Sequence, residues 1–367
     1  MILNTSRIKT WFTCRRKAFD TYHRHLSGDR RSMNLVDGGA VHAGIASGLA
    51  THDWREAKVQ ARAKFDLEIQ EATILPEEEY LREAHWQVID KILDVFESAF
   101  DKESYRVLQP EAEFLVEIPG TEHNDITMHW LDKDGVEHWG APSATDIESG
   151  VYSPHVGDSF GIPLKNNKAC ACWQPHRFTG KTDAIVLWNN NIWLLEHKTT
   201  SIAGQQFWSQ WQLDIQPTAY IYGISRAGMP KPSGFILNAL IKPSEAQVAS
   251  YNKRRKYGEP STQSDYIKYE REAFLRSDED LARVERQITA VANDWERAIT
   301  LGVEEGFYMS PVPGACTSYN RLCDFYSACL AHDDDASLNA LAQRPLDYVD
   351  DARLVQIQGA RDAKTVV

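Results

Sequence analysis

The 367-residue chain contains no apolar run near the roughly 20 residues that span a bilayer, and its opening MILNTSRIKTWFTCRRK lacks the apolar segment of a secretory signal. A soluble, cytoplasmic protein with no membrane partner is expected. Internal repeats and low-complexity tracts are also absent, and 43% hydrophobic with 10% aromatic residues can bury a large core. A disordered or fibrous chain is excluded. A positive balance is missing too: 40 Lys plus Arg against 52 Asp plus Glu give a net charge of -12. The chain as a whole does not attract a polyanion, so any nucleic-acid contact needs local basic patches. Arg15-Arg16-Lys17 and Lys253-Arg254-Arg255-Lys256 are the two candidates. Cysteines number only six, none in a C-x2-4-C knuckle. In an intracellular chain this argues for free thiols or metal ligands over a disulfide framework.

The pattern of what is present predicts an α/β chain. Helices are expected over Ser6 to Leu26, Gly39 to Leu67 and Glu77 to Phe100, with Asp37-Gly38-Gly39 separating the first two. Arg106 to Ile118 reads as one strand, and residues 119–176 as an irregular insertion with one or two hairpins. Phe178 to Leu187 and Ile192 to His197 read as a hairpin turned by Trp188-Asn189-Asn190-Asn191. Helical pattern follows over Gln205 to Gly223, then a strand Gly234 to Ile241 and a long polar helix Ser264 to Leu301. The organisation expected is an N-terminal helical region 1–105, a core 106–245, a C-terminal helical region 246–330 and an acidic tail 331–367.

Chemistry concentrates on the hairpin. Alternation puts Ile192, Leu194, Glu196 and Lys198 on one face of the second strand and Trp193, Leu195 and His197 on the other. A two-residue turn at Asn189-Asn190 pairs 188 with 191, and hence 183 with 196. Asp183 and Glu196 side by side repel, a cost commonly offset by a divalent cation such as Mg²⁺ or Mn²⁺. Lys198 would then orient a water or stabilise developing charge. An ordinary hairpin with exposed charges fits the same residue types, and D-x12-E-x-K alone does not separate the two readings.

The run GKTDAIVLWNNNIWLLEHKTTS resembles the core of RecB-like PD-(D/E)XK nucleases. That resemblance implies a restriction-endonuclease-like core, a central mixed sheet flanked by helices, in which Asp183 and Glu196 are metal ligands and Lys198 is the catalytic lysine. Asp214-Ile215-Gln216-Pro217-Thr218-Ala219-Tyr220 resembles the family's Q-x3-Y segment, implying Gln216 and Tyr220 at the site. Their spacing of four places both on one helix face, and Pro217 fits if the helix restarts with Asp214 as its N-cap. Gly38 to Ala43 is similar to the family's G-x-x-x-H segment, which implies His42 in the metal shell. Glu111 in QPEAEFLVEI resembles the acid of its first core strand and stands as a further candidate ligand, with Glu113 two residues on.

Cys14 stands near one end of the chain, while Cys316, Cys323 and Cys329 form C-x6-C-x5-C near the other. This order is similar to the iron–sulfur staple of RecB-like nuclease domains and CRISPR-associated adaptation nucleases, and implies a [4Fe-4S] cluster, with zinc as the other metal four thiolates hold. Such a link would close a loop of about 300 residues. Cys170, Cys172 and His176 lack a fourth ligand and read as unliganded. Trp193, Trp208 and Trp211 fit either base stacking or core. The function expected is a metal-dependent DNA nuclease, an exonuclease on ends or single strands in recombination, repair or phage DNA processing. The alternatives are a DNA-end-binding subunit of a recombination complex and a CRISPR spacer-adaptation nuclease. DNA is the expected partner, with a recombination protein or a second copy of the chain as further candidates.

Overall fold

The computed structural model describes residues 1–27, 33–71, 82–102, 105–119, 129–131, 137–139, 155–156, 159–160, 176–244, 247, 267–310, 312–318, 321–331, 337–338 and 341–343. The chain opens with β1 (Ile2–Leu3), α1 (Thr5–Thr13), α2 (Arg15–Tyr22) and β2 (Leu26–Ser27). Helices α3 (Met33–Thr51), α4 (Trp54–Glu71) and α5 (Arg82–Phe100) follow. The strands β3 (Arg106–Pro110), β4 (Glu113–Glu117), β5 (His129–Leu131), β6 (Glu137–Trp139), β7 (His155–Val156) and β8 (Ser159–Phe160) come next. After them run β9 (Arg177–Lys181), β10 (Ala184–Trp188) and β11 (Asn191–Thr200), then α6 (Gln205–Leu213) and α7 (Ile215–Arg226). The chain continues through β12 (Gly234–Ile241), β13 (Lys268–Leu275) and α8 (Asp278–Gly306), and then the short β14 (Thr317–Ser318), β15 (Arg321–Leu322), α9 (Tyr326–Leu330) and β16 (Ala342–Gln343). Among the described residues no helix is long and apolar enough to cross a membrane.

The architecture is α/β and divides into two compact units. One comprises Gly28–Phe114 and Gly180–Val284. Its five-stranded sheet has the order β13-β12-β11-β10-β3, with β11 and β12 parallel and the other pairs antiparallel. The β10–β11 hairpin turns on Asn189 and Asn190, whose φ values of 48° and 58° match the twist of the flanking strands. Trp188 pairs with Asn191 and Ala184 with Leu195, the register expected from the sequence. Trp193 and Leu195 share a core with Val41 and Ile45 of α3, Phe65 of α4 and Phe96 of α5. Each large side chain buried there contributes about 1.5–3 kcal/mol. Glu196 and Lys198, one residue out of phase, face α7.

The other unit comprises Met1–Ser27, Leu115–Thr179 and Glu285–Val367. Strand β1 runs parallel to β9 in a sheet of order β1-β9-β4. Its core is aromatic: Trp11 lies 4.8 Å from Trp295 and 5.9 Å from Phe307, and Phe19 lies 4.6 Å from Phe307.

Several expected elements differ. The single helix over Ser6 to Leu26 is two, because Cys14 is extended (φ -162°, ψ 118°) and its sulfur accepts the Lys17 N–H at 3.5 Å. Gly38 and Gly39, expected to separate the first helix from the second, lie inside α3. They serve close packing: a Cβ at Gly39 would stand 2.6 Å from the Glu68 carboxylate. The single helix expected over Gly39 to Leu67 divides between Thr51 and Trp54, where His52 takes φ 57°. The strand over Arg106 to Ile118 divides at Glu111, whose φ of 46° sends β3 and β4 into different sheets. The stretch Lys268–Leu275, expected within a helix, is strand β13, and α8 starts after Ser277. Ser277 and Asp280 cap that start reciprocally, with bonds of 2.9 and 3.2 Å. Most of the insertion and of the acidic tail, with Cys170 and Cys172, lies outside the described residues.

Candidate active site

The β10–β11 hairpin brings the acidic pair together. Asp183 stands just before β10, where its Oδ2 accepts the His197 backbone N–H at 2.6 Å and its Oδ1 accepts Nδ1–H of His42 at 2.9 Å. Glu196 is buried in β11, 2% exposed, and its Oε1 receives Lys198 Nζ at 2.5 Å and Gln216 Nε2 at 2.7 Å. Five side chains expected at the site, His42, Asp183, Glu196, Lys198 and Gln216, therefore form two joined hydrogen-bonded groups. Tyr220, four residues after Gln216, lies on the same face of α7.

The electrostatics separate the two acids. Burial alone would raise the Asp183 carboxyl, but the charge and hydrogen bond of His42, with His197 and Lys198, hold it well below the usual carboxylate range. Burial raises Glu196, and the like charge of Asp183 outweighs enough of the Lys198 attraction to leave it raised. Burial would lower Lys198, yet Glu196 and Asp183 keep its ammonium proton bound more tightly than usual. Asp183 likewise outweighs burial at His42 and raises it. A buried carboxylate, Glu196, and a half-buried one, Asp183, stand here beside one ammonium and one imidazole, and the carboxylate oxygens are hard donors of the kind that suit Mg²⁺ or Mn²⁺. Among the described residues no three His, Cys, Asp or Glu side chains stand close enough to share one metal ion.

Residues with no sequence motif hold this arrangement. His197 is buried on the opposite face of β11, pushed down to about 4 by burial and therefore neutral. Tyr269 donates to Asn238 at 2.7 Å, and Asn238 donates to His197 Nδ1 at 3.0 Å, which fixes the ring that precedes Lys198. The position of α3, which carries His42, depends on Asp37. Its carboxylate is fully buried, accepts His85 Nδ1–H at 3.0 Å, and pairs with the buried Lys242 ammonium, which also reaches Asn34 at 2.9 Å.

Helices α6 and α7 meet at Asp214, whose side chain accepts the Gln216 N–H at 2.8 Å and restarts the helix as its N-cap. Arg276 clips this junction. Its Nε donates to Thr218 Oγ1 at 2.7 Å and its Nη2 donates to the Trp211 and Gln212 carbonyls at 2.9 and 3.1 Å. A guanidinium on those carbonyls satisfies the orphan acceptors at the end of α6. The buried Trp211 ring lies 5.5 Å from Lys198 Nζ. Trp211 had only its Trp-rich neighbourhood as a signal. Asn238 and Arg276 had none, because their partners are distant in sequence.

The remaining candidates sit elsewhere. Glu111 donates its N–H to the Asp183 carbonyl at 2.9 Å, but its carboxylate pairs with Lys181 at 2.6 Å. The break at Glu111 also puts Glu113 on β4, in a different sheet from β3. The basic run Arg15-Arg16-Lys17 is not an open patch: Arg15 pairs with Asp294 at 2.6 Å and Arg16 with buried Asp20 at 3.2 Å. Residues 253–256 lie outside the described residues.

Cys14, Cys316, Cys323 and Cys329 are free and half-buried, all in the unit that contains both chain ends. The Cys14 sulfur accepts the Ser310 N–H at 3.4 Å, and Cys323 donates its N–H to the Cys316 carbonyl at 2.8 Å. Burial pushes the Cys329 thiol up to about 11, with Asp20, Cys14 and Cys323 adding to the rise and Arg16 opposing it.

A family model described as the PD-(D/E)XK nuclease superfamily matches residues 3–330. No curated protein matches the chain. Among solved structures, the crystal structure of SSO0001 is similar at 11% identity over 88% of this chain and 96% of that one, with a TM-score of 0.26. A likeness that weak carries no argument.

Proposed function

The chain belongs to the PD-(D/E)XK nuclease superfamily, and from that membership we propose that it is a metal-dependent deoxyribonuclease acting as an exonuclease on DNA ends or single strands in recombination, repair or phage DNA processing. The observation that supports this best is the set of Asp183, Glu196 and Lys198: a half-buried carboxylate bonded to His42 and to the His197 N–H, and a buried carboxylate bonded to Gln216 and Lys198. An ordinary exposed hairpin would leave these charges in water.

Asp183 and Glu196, with His42 alongside, are the residues that would hold Mg²⁺ or Mn²⁺, and Glu111 remains a candidate once released from Lys181. The bound ion supplies Lewis acidity at a phosphoryl oxygen and an activated water. The protein's own share is positioning. Gln216 orients the Glu196 carboxylate, and Tyr220 shares the helix face of Gln216. The Lys198 ammonium, kept protonated by its two acidic neighbours, is placed to stabilise negative charge that develops on the phosphate. Cys14, Cys316, Cys323 and Cys329 are proposed to hold a [4Fe-4S] cluster as a structural link within their unit, a reading supported by their place in one unit and by the Cys323 N–H bond to the Cys316 carbonyl.

The test compares the wild type with Lys198→Ala on end-labelled single- and double-stranded DNA in Mg²⁺ and in Mn²⁺. Metal-dependent shortening from an end by the wild type alone is expected. Equal degradation by both proteins would defeat the nuclease reading, and tight binding of ends without cleavage would favour a DNA-end-binding subunit.

A further inference from the structure

A chain of net charge -12 that brings a polyanion to Lys198 must manage the surface around that lysine. The 15 residues from Thr199 to Leu213, which lead directly away from it, carry no charged side chain in a chain that is 25% charged. Helix α6 exposes Gln205, Gln206, Ser209, Gln210 and Gln212 from this stretch. Ile202 and Leu213 beside them are 73% and 87% exposed.

The tryptophans nearby separate by burial. Trp193 is 8% exposed and Trp211 is 6% exposed, the latter packed against Lys198, so neither offers a ring face to a ligand. Trp208 is only half-buried. It precedes Trp211 by three residues and so lies on the same side of α6, about 5 Å back along the axis. Phe207 braces it edge-on at 5.1 Å and also touches Trp211 at 6.2 Å. A braced, partly open indole therefore stands one helical turn from the ring under Lys198.

Within Thr199–Leu213 no carboxylate repels a phosphate backbone, and no Lys or Arg grips one. What remains is an aromatic face for stacking and a row of amides that can donate to and accept from base edges. Bases offer both only when they are unpaired. Building on the nuclease reading, we propose that α6 is the platform for single-stranded DNA, with Trp208 stacking on a base near the phosphate held at Lys198 and the glutamines contacting base edges.

Binding is measured by fluorescence anisotropy of a labelled DNA oligonucleotide in EDTA, with every protein in the Lys198→Ala background so that cleavage does not intervene. Trp208→Ala should raise Kd for the single strand about 5- to 150-fold, the range for losing one stacked base. Trp208→Phe should retain most of the affinity, and the corresponding duplex should change less than twofold. Gln206→Glu and Gln210→Glu, exposed changes that the fold tolerates, should weaken single-strand binding by repulsion and guard against a misfolded Trp208 variant. In otherwise wild-type protein, Trp208→Ala should raise KM and leave kcat within twofold. The proposal is overturned if Trp208→Ala binds the single strand within twofold of its parent, if duplex and single strand weaken equally, or if the parent binds an RNA oligonucleotide in preference to DNA. A wild type that cleaves nothing while Trp208 still controls single-strand binding would defeat the nuclease reading and leave this inference standing.

Discussion

Replacing Lys242 with Met tests how α3, and with it His42, is held. Lys242 and Asp37 are buried at 5% and 0% exposure, and the ammonium binds Asn34 and Asp37, both near the start of α3. Methionine keeps most of the stem volume, so the loss is chiefly electrostatic. Removing one partner of a buried pair costs about 3–5 kcal/mol, because it leaves a charge without compensation. His85 still donates to Asp37, which places the expected cost near the lower end, about 3 kcal/mol. Urea unfolding followed by far-UV circular dichroism measures it. The double variant Asp37→Leu with Lys242→Met should recover most of the loss, because matched apolar residues often replace a buried pair with little change. Hydrogen exchange adds a local readout: amides of α3 up to His42 should open faster in the single variant than in the double one. A Lys242→Met loss below about 1 kcal/mol, with unchanged exchange in α3, would refute the claim that this network fixes the helix.

Arg276→Gln should lower stability by about 1–3 kcal/mol and nuclease turnover about tenfold with little change in DNA affinity, since Gln216 and Trp211 both depend on the clipped junction; an unchanged rate per folded molecule would contradict that role. Gly223→Ala should cost about 1–3 kcal/mol in thermal unfolding through overpacking, because its Cβ would stand 2.1 Å from the buried Phe114 ring; an unchanged melting temperature would show that the ring has room to move. Protein purified without oxygen should be brown and hold about four irons per chain, and Cys329→Ser should lose most of that iron. Stoichiometric zinc without iron would overturn the cluster assignment.

How much was legible in the sequence follows the range of the forces. Asn189 and Asn190 tolerate positive φ, so the turn, its register and the approach of Asp183 to Glu196 could be read directly. Asp214 could likewise be read as a cap, since it satisfies the N–H of a residue two places on. Glu111 hid a positive φ inside an apparently continuous strand, because a non-glycine residue gives no sign of that conformation. Lys268–Leu275 carries enough charge to resemble an exposed helix, and only its pairing with β12 makes it a strand. Gly38 and Gly39 resembled a separator between two helices, although their role is to let Thr199 and Glu68 approach α3 closely. The supports furthest from view were Lys242 under Asp37 and Arg276 at Thr218, whose partners lie many residues away.

Digestion of end-labelled DNA by wild type and Lys198→Ala tests the central claim most directly, with product sizes read over time in Mg²⁺, in Mn²⁺ and in EDTA. The account predicts progressive shortening by the wild type that needs the metal, and a rate at least about a hundredfold lower for Lys198→Ala despite retained DNA binding. Cleavage by the wild type that persists in EDTA, or equal rates for the two proteins, would contradict it.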